Sequence, residues 1–203
     1  MLVVVTGPDG AGKTTVCHNI QNFFAQNLNE RSVTITSVWD NYEDLFLSHT
    51  HAQDYLKNLQ GLSRSLFIFH AIQRALENAQ AKNNNIIIMD SYWYKYAVSE
   101  IALGVPRDFL FHIAKTFPTP DLTLYLDISP EIACKRKKFI SEYEKGKCLG
   151  KSSTEKFLRF QTQQKNLWKE IEFQFGPWFH ISGEQSPEEI LNNLLSIYLN
   201  EVA

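Results

Sequence analysis

A glycine-rich stretch near the N-terminus carries the residues best suited to chemistry. Residues 7–14 read Gly-Pro-Asp-Gly-Ala-Gly-Lys-Thr and match the pattern G-x-x-x-x-G-K-[ST] without a mismatch. In such a loop the glycines let successive backbone N–H groups turn toward phosphates, and the following helix adds positive potential. We expect Lys13 to reach the β- and γ-phosphates of a nucleoside triphosphate and Thr14 to place its hydroxyl on Mg²⁺. The predicted nucleotide-binding residues are Gly7, Gly10, Ala11, Gly12, Lys13, Thr14 and Thr15.

The residues on either side of this loop predict a strand before it and a helix after it. Residues 2–5 are apolar and mostly β-branched, which is typical of a buried strand. After the loop, apolar side chains recur at the spacing of one helical face, at Val16, Ile20, Phe23, Phe24 and Leu28. A loop of this composition between a strand and a helix is the setting of a phosphate-binding loop, hereafter the P-loop.

The rest of the chain alternates predicted strands with predicted helices. Such alternation indicates an α/β domain on a mainly parallel sheet, with ligands beyond the carboxyl ends of the strands. Aspartates follow four expected strands, as Asp9, Asp40, Asp90 and Asp127. The further strands are predicted at about 33–38, 86–89, 122–126 and 178–181, and the further helices at about 43–59, 62–81, 92–103, 106–117, after Ser129, 152–175 and after Ser186.

Length, charge and cysteine content argue against several classes of function. A chain of 203 residues fits one domain, and a formal charge of −2 argues against bulk binding to nucleic acid or anionic membranes. No apolar run approaches the ~20 residues that span a membrane, and the apolar N-terminal run leads directly into the P-loop, unlike a signal peptide. The three cysteines have no metal-binding or redox spacing, so we expect thiols in a reducing compartment, the cytoplasm.

Further segments combine with the P-loop into a recognisable set. Residues 88–92 read Ile-Met-Asp-Ser-Tyr, residues 120–131 combine an apolar strand with Ser-Pro-Glu, and a basic stretch includes Arg136. Residues 181–186 read Ile-Ser-Gly-Glu-Gln-Ser. In this combination the chain resembles the thymidylate kinase family of P-loop nucleoside monophosphate kinases. The likeness covers most of the chain in order and length, and it is weak between residues 39 and 75.

The resemblance implies a fold and a reaction. The implied fold is the P-loop NTPase three-layer sandwich, in which a five-stranded parallel sheet is flanked by helices. We expect a single kinase domain over residues 1–203 with a lid at about 137–152. The implied reaction is phosphorylation of dTMP to dTDP, with ATP and Mg²⁺ as the cofactors and a homodimer as a possible assembly.

The resemblance also implies roles for residues that match the family's motifs. Asp9 would bind the acceptor's sugar hydroxyl, Asp90 would organise Mg²⁺ through water, and Arg136 or a neighbouring lysine would cover the transferring phosphoryl group. Together with Lys13, these are the expected catalytic residues, and Thr14 and Asp90 are the expected metal site. A ring near Phe67 or Phe69 would stack on the acceptor base, and Glu184 and Gln185 would lie near adenine.

Arginines that the family places around the acceptor are replaced in this chain. Ser91 follows the strand-end aspartate, Trp39-Asp40 follows the second strand, and His70 stands where an ungapped count expects arginine. A monophosphate acceptor carries close to two negative charges beside the phosphates of ATP, so other cations must offset the repulsion. Lys95, Arg74 and Arg64 are candidates. The predicted acceptor-binding residues are Asp9, Asp40, Phe67, His70, Arg74, Tyr92 and Lys95.

Two other functions are consistent with the same residues. Deoxynucleoside kinases share the fold and the P-loop, and Asp40 could serve as their general base toward an uncharged 5′-hydroxyl. A nucleotide-binding protein without kinase activity is the second alternative, because the expected arginines are missing. The sequence contains no Asn-Lys-x-Asp motif and no strand-ending Asp-Glu pair, which argues against a GTPase and a mechanical ATPase. The longer match favours dTMP as the acceptor.

Overall fold

A computed structural model describes residues 1–27, 32–40, 46, 49–82 and 86–201. Over these residues the chain forms five strands and nine helices in alternation. The strands are β1 Leu2–Thr6, β2 Val33–Ser37, β3 Ile86–Asp90, β4 Leu122–Asp127 and β5 Phe179–Ser182. The helices are α1 Lys13–Asn27, α2 His49–Asn58, α3 Gly61–Ala81, α4 Trp93–Ala102, α5 Arg107–Ala114, α6 Pro130–Arg136, α7 Glu142–Lys145, α8 Ser153–Phe175 and α9 Pro187–Glu201.

The five strands form one parallel sheet in the order β2-β3-β1-β4-β5. This arrangement confirms the predicted α/β fold with a five-stranded parallel sheet. The central strand β1 pairs with both β3 and β4, and Val5 on β1 lies beside Asp90 on β3. The carboxyl ends of these strands therefore meet at the edge where the P-loop begins.

Helices cover both faces of the sheet and give the predicted three layers. Val4 packs into one core with residues of α3, α4 and α5, while Val3 and Val5 pack into the other with residues of α1 and α9. This division follows from the strand's two-residue period, which turns successive side chains to opposite faces. Burying each of these valines fully stabilises the fold by about 1.5–3 kcal/mol, so the apolar run that predicted β1 also fixes its central place.

The helix starts agree with the predicted capping residues, with one difference in detail. Ser129 accepts a hydrogen bond from the N–H of Ile132 at the start of α6, as its position before Pro130 predicts. Ser152 accepts one from the N–H of Glu155 at the start of α8. The Glu155 carboxylate, however, accepts from the N–H of Lys151, outside the reciprocal capping box that the sequence predicts.

Several helix bounds differ from their predicted positions. Helix α5 ends at Ala114 instead of near residue 117, and α6 ends within the basic stretch, at Arg136. The helix predicted at about 43–59 is described only from His49 onward; its predicted start at 43 lies outside the described residues. None of the described helices combines the length and the apolarity needed to cross a membrane.

The predicted lid segment, about 137–152, contains the short helix α7. Lys137 forms an ion pair of 2.6 Å with Glu144, and the Tyr143 hydroxyl donates to Glu100 on α4 over 3.1 Å. Gly146 has a φ of +56° and lies so close to the ring of Phe160 that a Cβ there would overlap it. In this conformation the segment is docked against α4 and α8.

Candidate active site

The P-loop lies tightly between β4 and α6, and two of its glycines are required by that packing. Gly7 has a φ of +138°, and a Cβ there would come within 2.7 Å of the Leu126 carbonyl oxygen. Gly10 has a φ of +85°, and its Cβ would meet the Ala133 carbonyl oxygen at the same distance. Any other residue at either position would be strained by both its φ and this contact. The loop therefore keeps a conformation that only glycine permits.

Lys13 lies under the loop with its side chain almost fully buried. Its Nζ donates hydrogen bonds to the carbonyl oxygens of Gly7, at 3.1 Å, and Pro8, at 2.7 Å. Burial lowers the pKa of Lys13 to about 8, assisted by the charge of Lys95 and opposed by the charge of Asp9. The first-turn N–H groups of α1, which begins at Lys13, have no partners within the helix. This combination of a cation and unpaired helix amides suits an anionic phosphate chain.

The two predicted metal-site residues contact each other at the end of the sheet. The Thr14 hydroxyl donates to Oδ2 of Asp90 over 2.5 Å. Ser91, with a φ of +66°, donates its backbone N–H to Val5 and its hydroxyl to Oδ1 of Asp90. One hydroxyl and one carboxylate suit Mg²⁺, which usually takes few protein ligands and completes its shell with water and phosphate oxygens. The described residues contain no group of three His, Cys, Asp or Glu side chains arranged to hold a metal.

Asp9 and Lys95 form a largely buried ion pair at the P-loop. Nζ of Lys95 lies 2.6 Å from Oδ1 of Asp9 and 5.4 Å from the centre of the Tyr96 ring. Burial by itself would raise the pKa of Asp9, but the charges of Lys95 and Lys13 outweigh it and hold that pKa below its usual value. Burial would likewise lower the pKa of Lys95, but Asp9 raises it above its usual value. Both groups therefore stay ionised around neutral pH.

These groups line one cavity of about 790 Å³, a size that suits small organic ligands. Arg136 reaches it from α6 and donates from Nη1 to the Gly183 carbonyl oxygen over 2.6 Å. The cavity therefore combines the P-loop, the predicted metal site and the Asp9–Lys95 pair. Its described lining consists of Asp9, Gly10, Ala11, Gly12, Lys13, Thr14, Thr15, Val16, Ser37, Trp39, Asp90, Ser91, Lys95, Tyr96, Arg136, Gly183, Gln185 and Ile190.

The structure does not bring every predicted nucleotide or acceptor residue to this cavity. Gly7 and Glu184 are absent from its described lining, although each adjoins a residue or loop that reaches it. Asp40 is exposed, and its Oδ2 accepts a hydrogen bond of 2.6 Å from the N–H of Ser37. Asp40 thus makes the contact of a turn residue, because a short carboxylate after a strand can satisfy the amide that begins its own turn.

Tyr92, expected near the acceptor, belongs instead to the hydrophobic core. Its side chain is 0% exposed, and its hydroxyl donates to the Pro118 carbonyl oxygen over 2.7 Å. Its ring packs edge-on against Tyr94 and Phe117. Since the hydroxyl is satisfied inside the protein and no part of the side chain meets solvent, Tyr92 is not placed to contact a ligand in the cavity.

The predicted acceptor residues on α3 also lie outside the described lining of the cavity. Phe67 packs against the rings of Phe46 and Tyr55, with centroids 5.9 and 5.4 Å away. His70 is exposed, and Arg74 forms an ion pair of 3.4 Å with Glu77. The roles predicted for these three residues depend on a substrate-bound arrangement and stay predictions.

Arg64, the other candidate cation on α3, is engaged in a buried cluster. Its Nε lies 3.3 Å from Oε1 of Glu100, and its guanidinium carbon lies 4.2 Å above the ring of Tyr143. Oε2 of Glu100 accepts from the hydroxyl of Ser65. Burial raises the pKa of Glu100 against the opposing charge of Arg64. Arg64 therefore joins α3 to the lid segment instead of reaching the cavity.

Trp39 and Tyr96 line the cavity but were not among the predicted site residues. The sequence carried a signal for each. Trp39 immediately follows a predicted strand whose carboxyl end should face the ligand site, and Tyr96 adjoins Lys95 on one helix. Aromatic residues most often pack into the core, so residue type by itself did not separate these two from the buried aromatics.

Comparison with protein families gives an independent identification. The family model described as thymidylate kinase matches residues 5–194. The chain belongs to the thymidylate kinase family. It is accordingly a nucleotide kinase, a phosphotransferase, and its five-stranded parallel sheet with a P-loop is consistent with that family's fold.

Individual thymidylate kinases resemble the chain at a level that makes it a divergent member. A probable thymidylate kinase of Staphylothermus marinus is 30% identical over 154 residues, covering 70% of this chain and 73% of the relative. The thymidylate kinase of Dictyostelium discoideum is 26% identical, covering 99% of this chain and 86% of the relative. Probable thymidylate kinase 1 of Saccharolobus solfataricus is 25% identical, covering 97% and 95% respectively.

Proposed function

We propose that this protein transfers the γ-phosphoryl group of ATP to dTMP, giving dTDP and ADP. The observation that carries the proposal is the convergence of Lys13, the Thr14–Asp90 pair and the Asp9–Lys95 pair on one cavity in a thymidylate kinase. The names of the relatives supply dTMP as the acceptor to be tested.

The donor's phosphates would be held by the P-loop. The backbone amides at the start of α1 would bind phosphate oxygens, and Lys13 would move from the carbonyls of Gly7 and Pro8 to neutralise them. Thr14 and Asp90 would hold Mg²⁺, directly or through water, because hydroxyl and carboxylate oxygens suit this ion. When bound, Mg²⁺ would offset the negative charge of the donor's phosphates.

The transfer itself needs positioning and charge stabilisation more than acid–base chemistry. An oxygen of the acceptor's phosphate forms a bond to the γ-phosphorus as the bond to the β,γ-bridging oxygen breaks, and ADP leaves with that electron pair. Such an oxygen is already anionic, so no general base is required. A nucleoside hydroxyl needs one, and Asp40, the predicted base, is not among the cavity's described lining residues. The placement of Asp40 therefore does not support the nucleoside alternative.

The proposed enzyme has further features that concern its domain, location and assembly. A single kinase domain with a lid at about 137–152 is supported by the docking of α7 against α4 and α8. A cytoplasmic location is supported by free thiols at Cys17, Cys134 and Cys148. A homodimer and the absence of nucleic-acid binding stay predictions, from the resemblance and the net charge respectively.

An acceptor screen tests the proposed function. ATP consumption would be measured with the full chain and Mg²⁺, using nucleoside monophosphates, nucleosides or no acceptor. We expect turnover with dTMP; turnover only with nucleosides would support the alternative kinase, and ATP binding without acceptor-dependent turnover would support a degenerate protein. Lys13→Ala should stay folded by circular dichroism and lose turnover, whereas Lys165→Met, at an exposed position of α8, should retain it. Turnover retained by Lys13→Ala would contradict the assignment of Lys13.

A further inference from the structure

Among the residues that the structure describes, three cationic side chains line the cavity: Lys13, Lys95 and Arg136. Lys13 bonds to P-loop carbonyls, where a donor's phosphates would lie, and Arg136 bonds to the Gly183 carbonyl beyond β5. Lys95 comes from α4 and contacts Asp9. Since the resemblance assigns Arg136 to the transferring phosphoryl group and the P-loop assigns Lys13 to the donor, Lys95 is the lining cation that the donor does not account for.

The ammonium group of Lys95 has N–H donors that its ion pair with Asp9 does not use. A lysine carries three N–H donors, and the ion pair with Asp9 occupies one of them. The side chain is largely buried but still reaches the cavity, so the other donors can face a ligand. Its partner Asp9 belongs to the P-loop, as Lys13 does, so both ammonium groups lie on the P-loop side of the cavity.

The residue that immediately follows Asp90 cannot supply a positive charge to the cavity. Ser91 is neutral and short, and its hydroxyl donates to Oδ1 of Asp90. Lys95 lies four residues further along, and its long flexible stem carries a compact charge into the same cavity. On this side of the cavity the positive charge is therefore supplied by Lys95 of α4 and not by a residue of the turn after β3.

We propose that Lys95 binds the phosphate of the acceptor and makes this enzyme select phosphorylated over unphosphorylated acceptors, with Asp9 as the residue that positions its ammonium group. This inference rests on the proposed function, since it needs a monophosphate acceptor. Asp9 anchors one N–H of Lys95 and leaves the others for the acceptor's phosphate oxygens. Lys95 is then the specificity-determining residue of the acceptor site.

Paired binding measurements test this role. Calorimetry on the full chain would compare dTMP with thymidine, which lacks the phosphate, in the wild type and in Lys95→Met. We expect Lys95→Met to weaken dTMP binding by about 10- to 10²-fold, as loss of a charged hydrogen bond does, and to leave thymidine binding within about threefold. Lys95→Arg should keep most of the preference for dTMP, and Lys165→Met should keep all of it. Unchanged dTMP binding, or equal losses for both ligands, would overturn the proposal.

A second variant removes an ambiguity, because Lys95→Met leaves the buried carboxylate of Asp9 unpaired. In Asp9→Asn/Lys95→Met neither charge of the pair remains, and we still expect the preference for dTMP over thymidine to be reduced by about 10- to 10²-fold. Recovery of that preference would show that repulsion from Asp9 caused the loss, and would overturn the role of Lys95. If the wild type phosphorylates dTMP and Lys95→Met binds dTMP as tightly as the wild type does, only the inference about Lys95 is refuted. A wild type that neither binds nor phosphorylates dTMP refutes the proposed function as well.

Discussion

The lowered pKa of Lys13 predicts that ATP affinity depends on pH in a specific direction. In the ligand-free enzyme burial holds this pKa at about 8, against a usual value of 10.5. Bound phosphates favour the charged amine, so they should restore the pKa toward its usual value. Binding then takes up a proton wherever the free enzyme has lost it. Affinity should be close to its maximum at about pH 7 and below, and should fall as the pH rises through about 8.

The magnitude follows from that pKa. The fraction of free enzyme with charged Lys13 is about 0.9 near pH 7 and about 0.1 near pH 9 for a pKa of about 8. If the bound form stays protonated over this range, affinity falls by about tenfold between the two conditions. Proton uptake on binding should rise over the same interval, from about 0.1 to about 0.9 per site.

Isothermal titration calorimetry with Mg–ATP can measure both quantities. Titrations in two buffers of different ionisation enthalpy give the proton uptake at each pH, and the binding curves give the affinity. Lys13→Ala binds more weakly and should show no such pH slope, whereas Lys165→Met should reproduce the wild-type slope. A wild-type affinity that is flat over the range, or the same proton uptake in Lys13→Ala, would refute the reasoning.

The remaining predictions concern three other parts of the site. Asp90→Asn should raise the Mg²⁺ concentration needed for activity and lower turnover by about 10²-fold, through a misplaced ion; an unaltered Mg²⁺ titration would contradict this. Asp40→Asn should keep turnover within about twofold, because the Asp40 carboxylate accepts a hydrogen bond from the N–H of Ser37 in its own turn. A fall of about 10²-fold would instead indicate that Asp40 acts as a general base. In urea unfolding, Gly10→Ala should lower the free energy of unfolding by about 1–3 kcal/mol more than Gly12→Ala does. Both glycines have a positive φ, but of these two only a Cβ at Gly10 would meet the Ala133 backbone among the described atoms. Equal losses in the two variants would exclude that clash.

Local features of the chain were sufficient to predict the strands and the P-loop. Exposing the apolar β-branched residues of β1 to water would cost free energy. Their continuous run therefore predicts a strand that is buried on both faces at the centre of the sheet. The spacing of Gly7 and Gly10 before Lys13 indicates the loop conformation. Both residues have a positive φ, which glycine adopts far more readily than other residues do. Asp90 ends β3 at the carboxyl edge of the sheet, as a polar residue that closes a buried apolar run is expected to do.

The acceptor side was harder to predict because it depends on side-chain direction. Asp40 and Asp90 both follow strands, yet the first bonds its own turn and the second meets Thr14. Tyr92 and Lys95 lie close together on the chain, yet the first is fully buried and the second reaches the cavity. Neither difference follows from position along the chain, because each depends on which distant elements pack beside the residue.

By itself, the amino-acid sequence determined the alternation of strands and helices, the P-loop and the kinase family, because each is carried by short local patterns along the chain. Only the tertiary structure decided that Lys95 from α4 pairs with Asp9 from the P-loop, and that Arg64 joins Glu100 away from the cavity. A charge separated by many residues from its partner is placed by the packing of whole helices on the sheet. That packing sums many weak contacts over the entire core, which no short stretch of sequence encodes.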